Sequence, residues 1–142
     1  MRIMTRHVMR EHLFRLLFES DFHEEHEFEE QFDNYWSLQD DEPDDRDYGE
    51  IKSKLKSIIE KKAEIDALIE KYSEGWSINR ICNADLNILR VAIYEMKWDG
   101  AVPVKVAINE AVEVAKVYGM DNSPSFINGI LANVVKEIGE DN

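Results

Sequence analysis

Glycine and proline are scarce in this chain, six and three among 142 residues. Few positions therefore enforce turns or break helices, and long helices are favoured. A single cysteine, Cys82, excludes a disulfide within the chain and suits a reducing compartment. No apolar run approaches the roughly 20 residues of a membrane span. The opening MRIMTRHVMREHLF is charged within its apolar stretch and lacks the small-residue cleavage site of a secretory signal. The expectation is a cytoplasmic protein without membrane contact. A Gly-rich phosphate loop, a GxSxG elbow and an HExxH pair are all missing, so no catalytic residues and no cofactor are read. Bases are also in short supply: 17 Lys and Arg stand against 30 Asp and Glu, a net charge of −13. That balance argues against broad, non-specific nucleic-acid binding, which draws most of its affinity from phosphate contacts.

The charge is unevenly placed. Residues 1–15 hold Arg2, Arg6, Arg10 and Arg15 against one acid, Glu11. Residues 19–50 hold fifteen acids and one base, Arg46, and the rest of the chain is nearly balanced. The whole-chain charge thus comes from one acidic block and says little about the remaining surface. The length suits a single domain spanning residues 1–142.

Helical periodicity runs through most of the sequence, and no segment alternates with the period of two that a strand requires. Thr5 is placed to cap a first helix with an apolar stripe of Val8, Leu13, Leu16 and Leu17. Phe28, Phe32 and Tyr35 mark a second helix over about 24–36. Gln39 to Glu50, with seven acids, a Pro and a Gly, reads as a loop. One long amphipathic helix follows, carrying Ile51, Leu55, Ile58, Ile65, Leu68, Ile69 and Tyr72 inward. Ser73 to Gly75 interrupt the pattern, and a short helix over 76–81 would bury Trp76 and Ile81. Asn83 can cap a helix with Leu86, Leu89, Ala92, Ile93 and Met96 on its apolar face. Pro103 opens the next at a position that needs no donor. That helix carries Val106, Ala107, Ala111, Val114, Ala115 and Tyr118 and stops at Gly119, read as a left-handed cap. Ser123-Pro124 begins the last one, with Ile127, Ile130, Leu131, Val134 and Ile138 as its stripe. The fold class is all-α, about seven helices in two packed subdomains, 5–72 and 76–139, divided at 73–75.

Few residues call for a chemical reading. Cys82 has no histidine near it in sequence to form a thiolate and reads as a packed core residue. His23 and His26 share a helical face, but the acids beside them fit a solvated helix start better than a metal site, so no metal is expected. Arg6 and Arg10 lie four apart and would project together from helix 1, a geometry suited to phosphate or to a solvated face. Asn109 and Asn128 interrupt apolar faces and are read as a polar clamp between the last two helices, with Glu110 beside it. Gly129 would let another helix come close. Asp85, Arg90 and Glu95 are read as a first-turn acid and surface pairs.

Three ordered segments carry a family resemblance: DLNILRVAIYEM (85–96), VPVKVAINEAVEVAKVYG (102–119) and SFINGILANV (125–134). With RHVMREHLFRLLFE (6–19) at the start, they resemble the NusB transcription antitermination factors, strongly over about 76–135 and weakly over 20–72. The resemblance implies an all-helical protein that is not an enzyme. It implies binding of boxA-type single-stranded RNA together with the ribosomal protein NusE. It further implies a place in the antitermination complex on RNA polymerase, where premature termination is suppressed chiefly in ribosomal RNA operons. Carried over residue by residue, it assigns Arg2, Arg6 and Arg10 to phosphates and Tyr118, Asn122, Ser123 and Phe126 to bases or sugars. Phe18 and Asp85 correspond to NusE contacts. The family often begins with three adjacent arginines, whereas Arg6-His7-Val8 keeps one, which implies weaker RNA binding alone and more reliance on the partner. With the acidic block, this departure favours an alternative reading as a helical protein–protein adaptor with weak or lost RNA binding. The helical faces leave a homodimer open.

Overall fold

The computed structural model describes residues 4–139, so Arg2 lies outside the described residues. Among these residues there are seven α-helices, two short 3-10 turns and no strand. The helices are α1 (Arg6–Ser20), α2 (Phe28–Ser37), α3 (Asp45–Glu60), α4 (Lys62–Tyr72), α5 (Asn83–Trp98), α6 (Val104–Tyr118) and α7 (Ser123–Ile138). They form two compact units, one ending at Ile59 and the other beginning at Glu60.

In the first unit, Thr5 caps α1 as its side chain suggests, accepting the Val8 N–H at 3.1 Å. Leu13, Phe14, Leu16 and Leu17 of α1, Phe32 and Tyr35 of α2, and Ile51, Leu55 and Ile58 of α3 are buried. His12 is buried with them. Its Nδ1 lies 2.7 Å from Tyr35 Oη and its Nε2 2.9 Å from Asp41 Oδ2, so the acidic segment is tied to α1. That segment is not loop throughout. Asp44 Oδ1 accepts the Asp47 N–H at 2.8 Å, and α3 starts at Asp45. The acids that argue against burial are favourable at a helix N-terminus, where they meet unpaired N–H groups and the positive dipole end.

The expected long helix is two. Lys61 leaves helical geometry at φ −93°, ψ 3° between α3 and α4. Ile58 and Ile65 stand seven apart, so the apolar stripe continues across the break and the sequence pattern cannot reveal it. The division into units falls here rather than at 73–75, because α4 is bonded into the second unit. Arg90 of α5 donates from Nε and Nη2 to the two carboxylate oxygens of Asp66 in α4, each at 2.9 Å. Arg90 Nη1 also donates to Asn87 Oδ1 at 3.0 Å, and Asn87 Nδ2 donates to the Asn83 carbonyl at 2.9 Å. Asn87 is fully buried and Arg90 only 4% exposed, so Arg90 is an interior group and not, as expected, part of a surface pair. α5 is buried nearly all round, packed by α4, α6 and α7.

Several further expectations are corrected. Cys82 is exposed at the start of α5. Trp76 is 49% exposed, although Ile81 is buried. Val106 is exposed on α6, and Val104 takes its place in the core. Asn109 and Asn128 are both exposed, so they form no buried clamp. A Cβ on Gly129 would meet nothing within 4 Å, so that glycine does not mark a close helix contact.

Candidate nucleic-acid interface

The first unit presents the arginine start. Arg6 is exposed, and its Nη1 donates to Glu50 Oε1 of α3 at 2.6 Å. His7 Nε2 lies 3.4 Å from Glu11. Arg10 does not share the solvated face expected of it: only 9% of its surface is exposed, on a helix whose buried set is wider than one stripe. Of Arg6 and Arg10, the guanidinium open to a phosphate is that of Arg6, and a carboxylate already holds it. Exposed pairs of this kind contribute roughly 0.2–1 kcal/mol. Glu50→Gln is accordingly expected to tighten RNA binding by up to a few-fold in filter binding, and weaker binding by this variant would show that Glu50 orients Arg6 instead of competing for it.

Phe18 is half-buried near the end of α1, with its ring 6.3 Å from Phe14 and 5.7 Å from Phe22. Phe22 is 65% exposed, so an aromatic edge reaches solvent beside Phe18.

The second unit holds an aromatic cleft of about 230 Å³ between the α4–α5 connection and α7, lined by Tyr72, Ser73, Trp76, Phe126, Gly129 and Asn133 among others. Its wall is built by a tight turn. Glu74 and Gly75 both take left-handed backbone, φ 54° and 90°. Ser73 Oγ bridges them, donating within reach of the Glu70 carbonyl at 3.1 Å and the Trp76 carbonyl at 2.5 Å. The Arg80 guanidinium stacks 5.5 Å from the Trp76 ring centre, a cation–π contact on an exposed indole. Tyr72 Oη donates to Glu137 Oε1 at 2.7 Å, which fixes the phenol and raises its pKa, while Lys71 and then Tyr72 hold the Glu137 carboxyl below its ordinary range. Gly129 offers no side chain, so this part of the lining stays open.

Beside the cleft lies the turn between α6 and α7. Asn122 is exposed, Tyr118 and Phe126 are half-buried, and Met120 is 69% exposed. Gly119 is no left-handed cap, since its backbone is extended at φ −95°, ψ −170°. It is needed for space: an added Cβ would sit 2.5 Å from Ser123 Cβ and 2.8 Å from the Ala115 carbonyl oxygen. Ser123 is buried, and its Oγ accepts the Met120 N–H at 2.8 Å. Asp85 is also buried. Burial pushes its carboxyl pKa up, partly opposed by a hydrogen bond from Ser123. The residue pattern does not single out Tyr72, Trp76 or Arg80 for this site. A tryptophan beside a Ser-Glu-Gly turn is the available signal, although its apolar character alone points to the core.

The chain is an all-helical protein with an arginine-bearing helix start on one unit and an open aromatic cleft on the other. Those are the parts of a helical RNA-binding transcription factor. The comparisons narrow the class. The family model described as the NusB family matches residues 7–136. The transcription antitermination protein NusB of Lachnoclostridium phytofermentans is 50% identical over 133 residues, covering 93% of this chain and 99% of that one. Its counterpart in Agathobacter rectalis is 47% identical, covering 91% and 98%. The solved structure of T. maritima NusB superimposes with a TM-score of 0.82 at 35% identity, covering 96% of this chain and 94% of the other. The chain belongs to the NusB family, and its function is transcription antitermination. No helix among the described residues is long and apolar enough to cross a membrane.

Proposed function

We propose that this protein binds boxA-type single-stranded RNA together with the ribosomal protein NusE. In the cytoplasm it would join the antitermination complex on RNA polymerase and act there without catalysis of its own. The observation that carries the RNA reading is the aromatic cleft beside the α6–α7 turn. Single-stranded RNA is read by stacking splayed bases on aromatic faces and by hydrogen bonds to their edges. Trp76, backed by Arg80, and Phe126 supply faces, and Asn122 and Asn133 supply amides. Tyr118 and Ser123 complete the second-unit assignment, Ser123 through the turn it holds. Arg6, with Arg2, is assigned to the phosphates, and Arg10, which α1 largely buries, only through the small part of it that stays exposed. The partner contacts are assigned to Phe18, whose aromatic edge is open through Phe22, and to the start of α5 at Asp85.

One substitution separates this function from stability. Gly129→Leu places a side chain where the structure leaves open space. It is expected to raise stability by roughly 0.5–1 kcal/mol, since glycine is unfavourable inside a helix. The same side chain would intrude on the cleft and lower affinity for a boxA RNA about tenfold, the loss of one stacked base. Filter binding with and without NusE, against a scrambled RNA, measures the second effect. A more stable variant that binds boxA RNA as well as wild type would remove the cleft from the interface. Unchanged affinity in both Arg6→Ala and Arg10→Ala would do the same for the phosphate assignment. The Arg6–Glu50 pair and the burial of Arg10 favour a second reading, a protein–protein adaptor, which predicts NusE binding without any preference for boxA.

A further inference from the structure

We propose that Arg15 is a carboxylate-binding residue of the partner face, one that takes an acidic side chain of NusE beside Phe18. The inference rests on the assignment of Phe18 to NusE above and adds the charge that this face offers.

Arg15 stands on α1 three residues before Phe18, so the two side chains leave the same side of the helix. It is half-buried, and a guanidinium carries five N–H donors. One of them is used among the described residues: Nη1 donates to Gln39 Oε1, a neutral amide, at 3.3 Å. Nε is enclosed and meets no acceptor, and Nη2 meets none either. No carboxylate pairs with Arg15 among the described residues, although Glu11 and Glu19 stand four residues to either side. Arg6, Lys52, Lys71 and Arg90, by contrast, each meet a carboxylate. A guanidinium drawn partly out of water with most of its donors unmet is costly, and an acceptor brought by another molecule offsets that cost. A second donor in this corner is in the same condition. Trp36 is 8% exposed, and its Nε1 is enclosed without an acceptor. Gln39 joins the two residues, since its own N–H donates to the Trp36 carbonyl at 3.2 Å. The fork of a guanidinium matches a carboxylate or a phosphate. Position on the helix decides between them. Arg6, assigned to RNA, lies nine residues away, about two and a half turns, and so leaves the opposite side of α1. Arg15 shares its side with Phe18, whose ring lies 5.7 Å from that of the exposed Phe22. Leu38, next to Gln39 in the chain, is 83% exposed. One unpaired arginine among exposed apolar side chains is the composition of a protein interface. An RNA strand would instead bring a row of phosphates to a face with one free cation and the exposed Glu19.

The test uses the full chain and NusE in titration calorimetry at two salt concentrations, with a boxA RNA titrated alone to report on phosphate binding. Arg15→Gln keeps the stem of the side chain and removes its charge. It is expected to weaken NusE binding about tenfold, the effect of losing a hydrogen bond to a charged group. The salt dependence of NusE binding should flatten with it. The melting temperature should stay within about 2 °C of wild type, because no ion pair within the chain is lost. Affinity for the RNA alone should stay within about twofold, since Arg15 lies away from Arg6. Gln39→Glu leaves Arg15 in place but gives it a carboxylate within the chain, and should weaken NusE binding up to about fivefold by competition. Among NusE variants with single exposed Asp→Asn or Glu→Gln changes, one should lose little further affinity when combined with Arg15→Gln. Unchanged NusE affinity in Arg15→Gln, with weaker binding in Phe18→Ala, would overturn the proposal and leave the Phe18 assignment standing. Weaker RNA binding with NusE affinity unchanged would likewise overturn it and make Arg15 a phosphate contact. Unchanged NusE affinity in both Arg15→Gln and Phe18→Ala would overturn the assignment and the proposal together. Should Arg15→Gln fail to fold, Gln39→Glu and Arg15→Lys carry the same comparison, the lysine keeping the charge without the fork and binding NusE about threefold more weakly.

Discussion

Asp66→Ala is expected to lower the unfolding free energy by about 3–5 kcal/mol, the usual cost of leaving a buried charge without its partner. Arg90 is 4% exposed, and both of its paired nitrogens meet Asp66 at 2.9 Å. Without that carboxylate the guanidinium keeps only Asn87 among these bonds. Urea unfolding should show the midpoint falling with little change in slope. Replacing both residues, Asp66→Leu with Arg90→Met, should recover most of the loss, because a well-packed apolar pair avoids the desolvation cost. A loss below about 1 kcal/mol in Asp66→Ala would mean that water reaches Arg90 and that the pair behaves as a surface one. The exposed Lys97–Glu64 pair, 3.9 Å apart, is the internal control and should contribute little.

Gly119→Ala is the second large effect. Alanine adopts φ −95°, ψ −170° without strain, so the whole penalty is steric. The new Cβ would lie 2.5 Å from Ser123 Cβ, 2.6 Å from Ser123 Oγ and 2.8 Å from the Ala115 carbonyl oxygen. Two of these are close to backbone, which cannot swing aside as a long side chain would. Overpacking of this kind costs about 1–3 kcal/mol or more. Moving Ser123 also breaks its bond to Met120, so boxA preference should fall along with stability. Gly129→Ala is the matched comparison, with open space at its Cβ and an expected gain of about 0.5–1 kcal/mol. If Gly119→Ala melted at the wild-type temperature, the close approach at the α6–α7 turn would be refuted.

What the residue pattern made legible was local. The Thr5 cap, the inward Ala107, Ala111, Val114 and Ala115 of α6, the inward Ile127, Ile130, Leu131 and Val134 of α7 and the Pro at the start of α7 follow from rules that span a few positions, and the structure has them. The misreadings share a cause, which is dependence on partners distant in sequence. Arg90 looks like a surface residue until α4, α6 and α7 pack round α5. Trp76 looks like core until a turn with two left-handed residues turns it outward. The composition of residues 40–47 favours a loop, whereas the position of its acids favours a helix start at Asp45. Of the candidate site, Phe126, Asn122 and Tyr118 were placed by resemblance. The opposite wall of the cleft comes from a turn some fifty residues earlier, and no periodicity links the two. Arg10 is buried because more of the α1 circumference is enclosed than a single stripe.

The Arg6–Glu50 pair has a consequence for thermodynamics beyond affinity. An arginine that meets RNA from a free state displaces a condensed cation from the strand, and that release makes binding fall with added salt. Arg6 begins on a carboxylate. When it moves to a phosphate, Glu50 becomes a bare anion that recruits a cation from solution, and the exchange nears balance. Arg6 would therefore add strength with almost no ionic signature, and counting arginines would overstate the slope of log affinity against log salt. Removing the carboxylate in Glu50→Gln should steepen that slope by about 0.7, one contact's worth on a single strand. Glu50 would then act as a built-in counterion, making the contribution of Arg6 to recognition less sensitive to changes in the surrounding salt.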